Sequence, residues 1–363
     1  MLNGSSGPSV FAQSPLSTIF YYLSPMNTRN WAGNIEYSTP HIHHPRSVEE
    51  VQTMVRQLKK CRVLGTRHCF NRIADSKHHL ISTSELNKVI SLDPAAKTVT
   101  VAGSIATATH GSGIGNGNLA TAVTALEVVT GDGEIRAIDD KEMVHAAAVN
   151  LGILGVMTKV TLSIQPRYHI RQTVYEQLPV TKLTKHFEKI LSAGYSVSLF
   201  TDWRRDTINE VWVKSKMSPG EPDMSDEPHG AELQSEYFVP FHHGVEALLA
   251  ISRLGPQISP HLFISEIRTV AADELWLSPN GNQDSVALHF TWRQDWPAVS
   301  RLLPLIEKEL APFQARPHWG KLFTMPPVLL KRHYEKLDDF KQLAAKMDPE
   351  GKFRNEFVST CLY

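Results

Sequence analysis

Residues 107–117 contain glycine at every second position from Gly111 to Gly117. Backbone without Cβ atoms can approach a bulky ligand closely, so this run predicts a ligand-binding loop. It is not a dinucleotide-binding fingerprint, because the pattern G-x-G-x-x-G fails at Asn116 and again at Asn118, and no helix signal follows. A tight turn that binds nothing is the alternative interpretation. In either case the fold must accommodate an irregular loop here.

A second glycine-containing loop follows a predicted helix and strand. Ser47 and Glu50 form a capping box, and apolar residues at helical spacing predict a surface helix over residues 47–60. Residues 62–64 are apolar in character and predict a short strand. The loop after this strand combines backbone amides, a guanidinium and an imidazole, which together suit a pyrophosphate. Its residues are Leu64, Gly65, Thr66, Arg67, His68, Cys69, Phe70 and Asn71.

Hydrophobic periodicity predicts an α+β protein in two halves. In the first half we predict strands over residues 97–101, 121–130 and 151–164, with a hairpin signal at Gly131-Asp132-Gly133. In the second half we predict a helix over residues 180–192 and a mixed sheet with strands over residues 195–200, 210–213, 263–270 and 285–292. The polar residues 214–230 predict an exposed loop. Residues 344–357 predict a helix stop followed by a packed end.

Composition argues against several classes of partner. The chain has 37 Lys plus Arg and 37 Asp plus Glu, so no surplus positive field attracts nucleic acid or an anionic membrane. No apolar run approaches the roughly 20 residues of a membrane span. Cys61, Cys69 and Cys361 form neither a paired framework nor a CxxC site, which predicts a reducing compartment. We therefore expect a soluble, cytoplasmic protein that acts on small molecules.

Histidine clusters suggest a metal site, but the surrounding sequence argues against one. His41, His43 and His44 lie before a proline, and no cysteine or carboxylate stands at ligand spacing. A solvated strand end is the favoured interpretation. The pairs at 78–79 and 242–243 are treated alike, because 17 histidines make chance clusters expected. We predict no metal site.

Polar residues two apart mark two of the predicted strands. Glu266 and Arg268 would share one face of their strand, as would His289 and Thr291 of the next. Such a face could line a pocket. The alternative for Glu266 and Arg268 is a partly exposed ion pair, which is common on sheets and contributes little to stability. The pattern alone favours the ion pair.

A series of motifs supplies the missing context. They resemble, in their order along the chain, the alditol oxidases of the vanillyl-alcohol-oxidase superfamily, with L-gulonolactone and D-arabinono-1,4-lactone oxidases as more distant relatives. The motifs are Asn30-Trp31-Ala32-Gly33-Asn34, Pro45-x-Ser47, Gly65-x-x-His68-x-Phe70, Thr109-His110-Gly111-Ser112-Gly113, Leu151-Gly152-x-Leu154-Gly155-Val156, Glu266-Ile267-Arg268, His318-Trp319-Gly320-Lys321 and Asp348-Pro349-x-Gly351-x-Phe353.

The resemblance implies a domain plan. Residues 30–166 would form a PCMH-type FAD-binding domain of two subdomains. Residues 167–343 would form a mixed α/β substrate domain, or cap, and residues 344–363 would pack back on the FAD-binding domain. Residues 1–29, which hold a single charged side chain, are expected to be a disordered tail or an artefact of the assigned start.

The resemblance also implies cofactor contacts. The cofactor would be FAD, attached through the flavin 8α-methyl group to His68. Besides residues 64–71, the predicted contacts are Ser104, Ile105, Ala108, Thr109, His110, Gly111, Ser112, Gly113, Ile114, Gly115, Gly155 and Val156. Two positions depart from the family pattern: Cys69 replaces the usual serine, and Ala108 replaces a glycine.

For the substrate site, the resemblance implies that Glu266 and Arg268 bind polyol hydroxyls, and that His289, Thr291 and Lys321 complete the pocket. Arg268 and Lys321 are suitable cations for a developing alkoxide. His289 is a candidate proton acceptor because its ordinary pKa lies near neutrality. The implied reaction oxidises a primary alcohol of an alditol and reduces molecular oxygen to hydrogen peroxide. An aldonolactone oxidase or dehydrogenase is one alternative, and an inactive shortened variant is another. We expect a monomer.

The chain is also shorter than the family pattern. Relatives carry a few dozen residues between the strand at 97–101 and the segment that begins at Ala102, whereas here the two abut. A crossover between parallel strands takes a dozen or more residues, which this junction cannot supply. A second shortfall, between Lys214 and Glu232, falls in a predicted surface loop and is better tolerated. We therefore expect the chain as written to bind FAD poorly or not at all.

Overall fold

The computed structural model describes residues 28–87, 101–166, 168–217 and 232–363. The expected N-terminal tail up to residue 27, the predicted strand at 97–100 and the predicted loop at 218–230 lie outside the described residues. Within the described part of the chain, helices and sheets alternate in the α+β arrangement that the sequence predicted. No helix of that part has the length and apolarity to cross a lipid bilayer.

A small parallel sheet opens the fold. Its strands are β1 (Ile42–His43), β2 (Arg62–Leu64) and β3 (Leu80–Ser82), in the order β1-β3-β2. Helix α1 (Val48–Gln57) connects β1 to β2, and Ser47 Oγ caps it by accepting from Glu50 N. The Glu50 carboxylate accepts from Arg46 N. The predicted helix and strand are confirmed, with the helix three residues shorter at its end.

A second, antiparallel sheet follows. Its strands are β4 (Val123–Val129), β5 (Ile135–Ile138) and β6 (Val156–Leu162), in the order β5-β4-β6. The predicted hairpin between β4 and β5 is confirmed. Helices α2 (Val101–Ala106) and α3 (Lys141–Ala147) accompany the sheet. The prediction of a strand that ends at Val101 is wrong for that residue, because α2 begins there and buries Ile105 in the core under the sheet.

A seven-stranded sheet dominates the second half. Its order is β13-β10-β12-β11-β8-β9-β7, and all neighbours run antiparallel. The strands are β7 (His169–Pro179), β8 (Ser196–Thr201), β9 (Thr207–Met217), β10 (Leu233–Pro240), β11 (Leu262–Val270), β12 (Ser285–Trp292) and β13 (Arg316–Pro317). The predicted strands are confirmed, but β10 was not predicted. The prediction of a mixed sheet is wrong, because every pair of neighbouring strands in it is antiparallel. Residues 214–217 belong to β9 rather than to a loop, because they pair with β7.

The remaining helices cover this sheet and return the chain to the first half. They are α4 (Val180–Lys185), α5 (Phe187–Leu191), α6 (Gly244–Arg253), α7 (Gly255–Ile258), α8 (Trp296–Leu310), α9 (Pro327–Arg332), α10 (Leu337–Met347) and α11 (Glu356–Leu362). The single helix predicted over residues 180–192 is wrong, since His186 leaves helical geometry at φ −128° and separates α4 from α5. Leu183 and Leu191 nevertheless both bury against the large sheet.

The C-terminal segment packs against the first two sheets. Asp348 follows the last residue of α10. Its carboxylate accepts from the backbone amides of Lys352 and Phe353. The Phe353 ring is fully buried with Val51 of α1 and Val156 of β6. Three distant parts of the sequence therefore share one core cluster.

Arg62 links the same parts through hydrogen bonds. Its guanidinium is buried and donates to the carbonyl oxygens of Ile73, Leu151, Gly152 and Phe353. The side chain therefore serves as a hydrogen-bond hub between β2, the turn before β6 and the C-terminal segment.

We expect Arg62→Met to lower the free energy of unfolding by about 3 kcal/mol or more, because several buried carbonyl groups would lose their donors. Chemical denaturation measures the loss. Arg136→Met, on the exposed strand β5, is the control and should change stability by less than about 0.5 kcal/mol. Equal effects of the two substitutions would contradict the assignment of Arg62 as a hub.

Candidate active site

Three neighbouring strands of the large sheet align ionisable side chains in one row. Glu236 of β10 lies opposite His289 of β12, and His289 lies opposite Glu266 of β11. Residues directly opposite each other on antiparallel strands share one face of the sheet. Arg268 is two residues beyond Glu266, so it lies on that face as well. Glu266, Arg268 and His289 therefore share one face of the sheet, whereas their role in a substrate pocket stays a prediction.

Lys321 reaches this row from the loop that follows β13. The loop is fixed to β10, because His318 N donates to the Glu236 carbonyl and Leu322 N donates to the Gln234 carbonyl. Lys321 Nζ then donates to Glu236 Oε2 at 2.6 Å. From the other side, Arg268 Nη2 donates to Glu236 Oε1 at 2.6 Å. One carboxylate thus binds both cations.

Glu236, which binds both cations, is the residue of this cluster that the sequence predictions missed. Its side chain is 0% exposed, whereas those of Arg268, Lys321 and Glu266 are 15%, 14% and 20% exposed. The sequence signal that could have identified it is an acidic residue inside the segment Leu233–Pro240, which has apolar residues at both ends and forms β10. Burial opposes ionisation of Glu236, but the charges of Lys321 and Arg268 outweigh it and hold its pKa well below the usual range. The carboxylate is therefore ionised at neutral pH.

Hydrogen bonds define the protonation of His289. Lys321 Nζ lies 2.9 Å from His289 Nδ1, and an ammonium can only donate, so Nδ1 is the acceptor. The hydrogen of the neutral ring is then on Nε2, which donates to Thr291 Oγ1 at 3.1 Å. Burial, aided by the charge of Lys321, lowers the pKa of His289 to about 4. The premise that His289 accepts a proton near neutrality does not hold.

The glycine-rich loop meets the row from the first half of the chain. His110 Nδ1 faces the Gly111 carbonyl at 2.8 Å, and His110 Nε2 lies 3.3 Å from Glu236 Oε2 without making a hydrogen bond. The loop is held by Ser112 Oγ, which donates to the Val197 carbonyl. Gly113 N donates to the Thr269 carbonyl, and a Cβ at Gly113 would lie 2.5 Å from the Tyr195 carbonyl oxygen. Glycine is required at that contact.

The loop at residues 64–71 binds the loop that carries Lys321. Phe70 N donates to the Gly320 carbonyl, and Asn71 Nδ2 donates to the carbonyls of Trp319 and Lys321 at 2.7 Å. His68 remains exposed and stacks on Trp31 with 5.4 Å between ring centroids. Both glycine-containing loops therefore converge on the cluster around Glu236.

Known proteins share this architecture. Residues 231–361 match the family described as D-arabinono-1,4-lactone oxidase. An alditol oxidase from Streptomyces sp. is 36% identical over 409 aligned positions, which cover 92% of this chain and 98% of that relative. The chain belongs to the alditol oxidase family. This family consists of FAD-dependent oxidoreductases.

More distant relatives support the same fold. An L-gulono-1,4-lactone dehydrogenase from Mycobacterium tuberculosis is 23% identical, covering 92% of this chain and 98% of the relative. An L-gulonolactone oxidase from Mus musculus is 22% identical with the same coverages. Among solved structures, a solvent-stable cholesterol oxidase matches with a TM-score of 0.76 and 14% identity, covering 93% of this chain and 97% of that chain. This last similarity concerns the fold alone.

The alignments also show that the chain is shorter than its relatives. The 409 positions aligned with the Streptomyces relative exceed the 363 residues of the whole chain by 46. At least that many aligned positions therefore have no counterpart here. Alignments of 423 and 432 positions with the two lactone-oxidising relatives show a larger excess.

The residues that are present fit a long cofactor along the two loops. A Cβ atom at Gly65, Gly111 or Gly115 would meet no heavy atom within 4 Å, so open space borders the backbone there. Several other predicted contacts have buried side chains and could reach a cofactor only through backbone atoms. These are Leu64, Phe70, Ile105, Ala108 and Val156.

Two sequence departures have visible consequences. Ala108, where the family pattern has glycine, adopts φ +55°, a left-handed conformation that disfavours a Cβ atom. Its methyl group is fully buried. Cys69 is half-buried, and desolvation raises the pKa of its thiol to about 11. At neutral pH neither side chain therefore offers a charged group to the cofactor.

Three of these side chains resemble a metal-binding group. His110, Glu236 and His318 each place one ligand atom within 4.8 Å of the others. Two cations already bind Glu236, however, and Gly320 N donates to His318 Nδ1, which leaves the hydrogen of the neutral ring on Nε2. A divalent cation would face both obstacles. The prediction of no metal stays a prediction that this arrangement favours.

We expect the stability of the protein to fall between about pH 6.5 and pH 4. Burial lowers the pKa of His289 to about 4 and that of His318 well below the usual 6.5. The unfolded chain therefore binds more protons in this window, and stability is lost as the pH falls through it. The pKa of Glu236 is held well below its usual range by Lys321 and Arg268, so its protonation adds to the loss of stability at acid pH.

His289→Gln should reduce this acid-dependent loss, because glutamine cannot take up the proton. Thermal unfolding at a series of pH values measures the effect, with His242→Gln, an exposed position, as the control. An unchanged pH slope in His289→Gln would show that burial of His289 is not the source.

Proposed function

We propose that the chain oxidises a primary alcohol of an alditol such as xylitol or sorbitol, with FAD as cofactor and oxygen reduced to hydrogen peroxide. The observation that carries the proposal is the cluster of Glu266, Arg268 and Lys321 around buried Glu236, beside the two glycine-containing loops. The 36% identity to an alditol oxidase supports this substrate class. The match of residues 231–361 to a lactone oxidase family keeps aldonolactones as the second candidate.

The exposed fractions of the site residues suggest how a polyol would bind. Glu266 accepts hydrogen bonds from hydroxyl groups, and Arg268 donates to them. Lys321 uses two of its three hydrogens on Glu236 and His289, so one is left for the hydroxyl that reacts. When bound, FAD would supply the acceptor for the hydride of the carbinol carbon and would return the electrons to oxygen. Arg268 and Lys321 stabilise the alkoxide character that the hydroxyl oxygen gains as its proton leaves. In the overall reaction that proton is taken up in the hydrogen peroxide that forms.

The two loops would hold the cofactor. Residues 64–71 offer backbone amides and the exposed His68, which we propose as the site of covalent attachment. Residues 107–117 offer the open backbone of Gly111 and Gly115. The absence of at least 46 aligned positions supports a further proposal, that the chain as written retains FAD weakly.

We expect the purified chain to carry far less than one FAD per polypeptide. Inserting the corresponding segment of the Streptomyces alditol oxidase between Val101 and Ala102 should give a yellow protein whose flavin stays with the acid-precipitated polypeptide. In that protein, His68→Ala should release the flavin to the supernatant, whereas the control His78→Ala should not. A stoichiometric, active flavoprotein obtained from the unmodified chain would refute the proposed weak retention. Flavin in the supernatant before mutation would refute covalent attachment.

In flavin-loaded protein, Arg268→Ala and Lys321→Ala should each lower turnover of xylitol and sorbitol about a hundred- to thousandfold, since each removes a cation beside the developing charge. The flavin spectrum should be nearly unchanged. Arg253→Ala is the control, because Arg253 is an exposed partner of Glu309. A loss below about threefold would exclude the two cations from transition-state stabilisation. Faster turnover of L-gulonolactone or D-arabinono-1,4-lactone than of alditols would favour the second candidate function.

A further inference from the structure

The candidate site contains as many negative as positive charges. Arg268 and Lys321 are the cations, and Glu236 and Glu266 are the anions. Burial lowers the pKa of His289 and of His318, so both rings are neutral at pH 7. The net charge of the row is therefore zero.

His110 is the remaining ionisable group that faces Glu236. Its Nδ1 is directed at the Gly111 carbonyl, so that nitrogen carries a hydrogen. Its Nε2 makes no hydrogen bond, although Glu236 Oε2 is 3.3 Å away. Nε2 therefore faces the same carboxylate oxygen that accepts from Lys321. The four charged side chains of the row balance one another without a contribution from His110.

The four charged side chains differ in their access to a ligand. Glu266, Arg268 and Lys321 retain 14–20% of their side-chain exposure, while Glu236 has none. A bound polyol can touch the first three but not Glu236. The role of Glu236 is therefore indirect, and it acts through the charge and position of the two cations.

We propose that Glu236 is a positioning and specificity-determining residue whose buried negative charge makes the site selective for uncharged polyols over sugar acids and amino polyols. This inference rests on the proposed function and names the substrate class of the same site. With Glu236 present, a ligand carboxylate finds no unbalanced cation to offset the loss of its hydration. Without Glu236, the row has one surplus positive charge, and the discrimination against anions disappears.

We expect the net charge of the site to determine which ligand charge it binds best. Sorbitol, gluconate and glucamine share a six-carbon polyhydroxy skeleton and carry no charge, one negative charge and one positive charge at pH 7. Their dissociation constants can be measured by calorimetry or by ligand-induced shifts of the unfolding temperature, with no need for turnover or for flavin. We expect the chain without substitutions to bind sorbitol more tightly than gluconate or glucamine.

Glu236→Gln keeps the shape of the side chain and removes its charge. We expect the affinity for gluconate relative to sorbitol to rise at least about tenfold, because one unit charge at contact distance in a partly buried site is worth more than that factor. In flavin-loaded protein, the ratio of kcat/KM for gluconate and sorbitol should move the same way. A merely structural role of Glu236 would lower both affinities and leave their ratio unchanged.

Lys321→Met tests the opposite sign and does not depend on the folding of Glu236→Gln. It leaves one surplus negative charge, so the affinity for glucamine relative to sorbitol should rise at least about tenfold. Glu307→Gln is the control. Glu307 is also a buried carboxylate, bound to Tyr237 and Thr324 in the same domain, and its loss should change stability without changing either ratio.

The proposal is overturned if Glu236→Gln shifts the ratio of gluconate to sorbitol affinity by less than about threefold. If Glu236→Gln does not fold, the same limit applies to the ratio of glucamine to sorbitol affinity in Lys321→Met. An equal shift of either ratio in Glu307→Gln also overturns the proposal. Failure of the proposed function has a different signature. In that case the chain without substitutions would neither bind nor oxidise sorbitol. The affinity of Glu236→Gln for gluconate would still exceed that of the chain without substitutions.

Discussion

The bond network of one buried carboxylate determines the geometry of the candidate site. Glu236 is fully buried and accepts from Lys321 and from Arg268, each at 2.6 Å. Removing any single one of these charges from water would be unfavourable, but each is paired and hydrogen-bonded, which offsets much of that cost. Because Glu236 fixes the Lys321 ammonium, it also fixes which nitrogen of His289 carries the hydrogen. The hydroxyl oxygen of Thr291 then accepts from His289 Nε2.

The cluster also connects parts of the chain that are far apart in sequence. The loop at residues 318–321 binds the loop at residues 64–71 through Phe70 and Asn71, and it binds β10 through His318. The loop at residues 107–117 is held on the large sheet by Ser112 and Gly113. Neither half of the protein contains a complete site. A cofactor along the loops and a polyol on the sheet would therefore meet only when both halves are docked.

Much of the fold followed from local patterns. The capping box at Ser47 predicted the start of α1, and the apolar runs at residues 263–270 and 285–292 predicted β11 and β12. The period of two along those strands placed Glu266 with Arg268 and His289 with Thr291 on one face. Strand β10 was missed, since its sequence mixes glutamate, glutamine and serine with apolar residues. Its burial depends on β12 and β13, which flank it on either side.

The amino-acid sequence by itself determined the family, the residue types of the site and the two loops that border it, because these are encoded in short motifs. Only the tertiary structure decided which residue organises them. The pKa of His289 and the ionised state of Glu236 depend on desolvation and on charges brought from β11 and from the loop after β13. Those neighbours are separated by 32 and 85 residues from their partners along the chain. No local sequence pattern specifies contacts between residues so far apart in the chain, since these contacts form only when the strands pair and the loops dock.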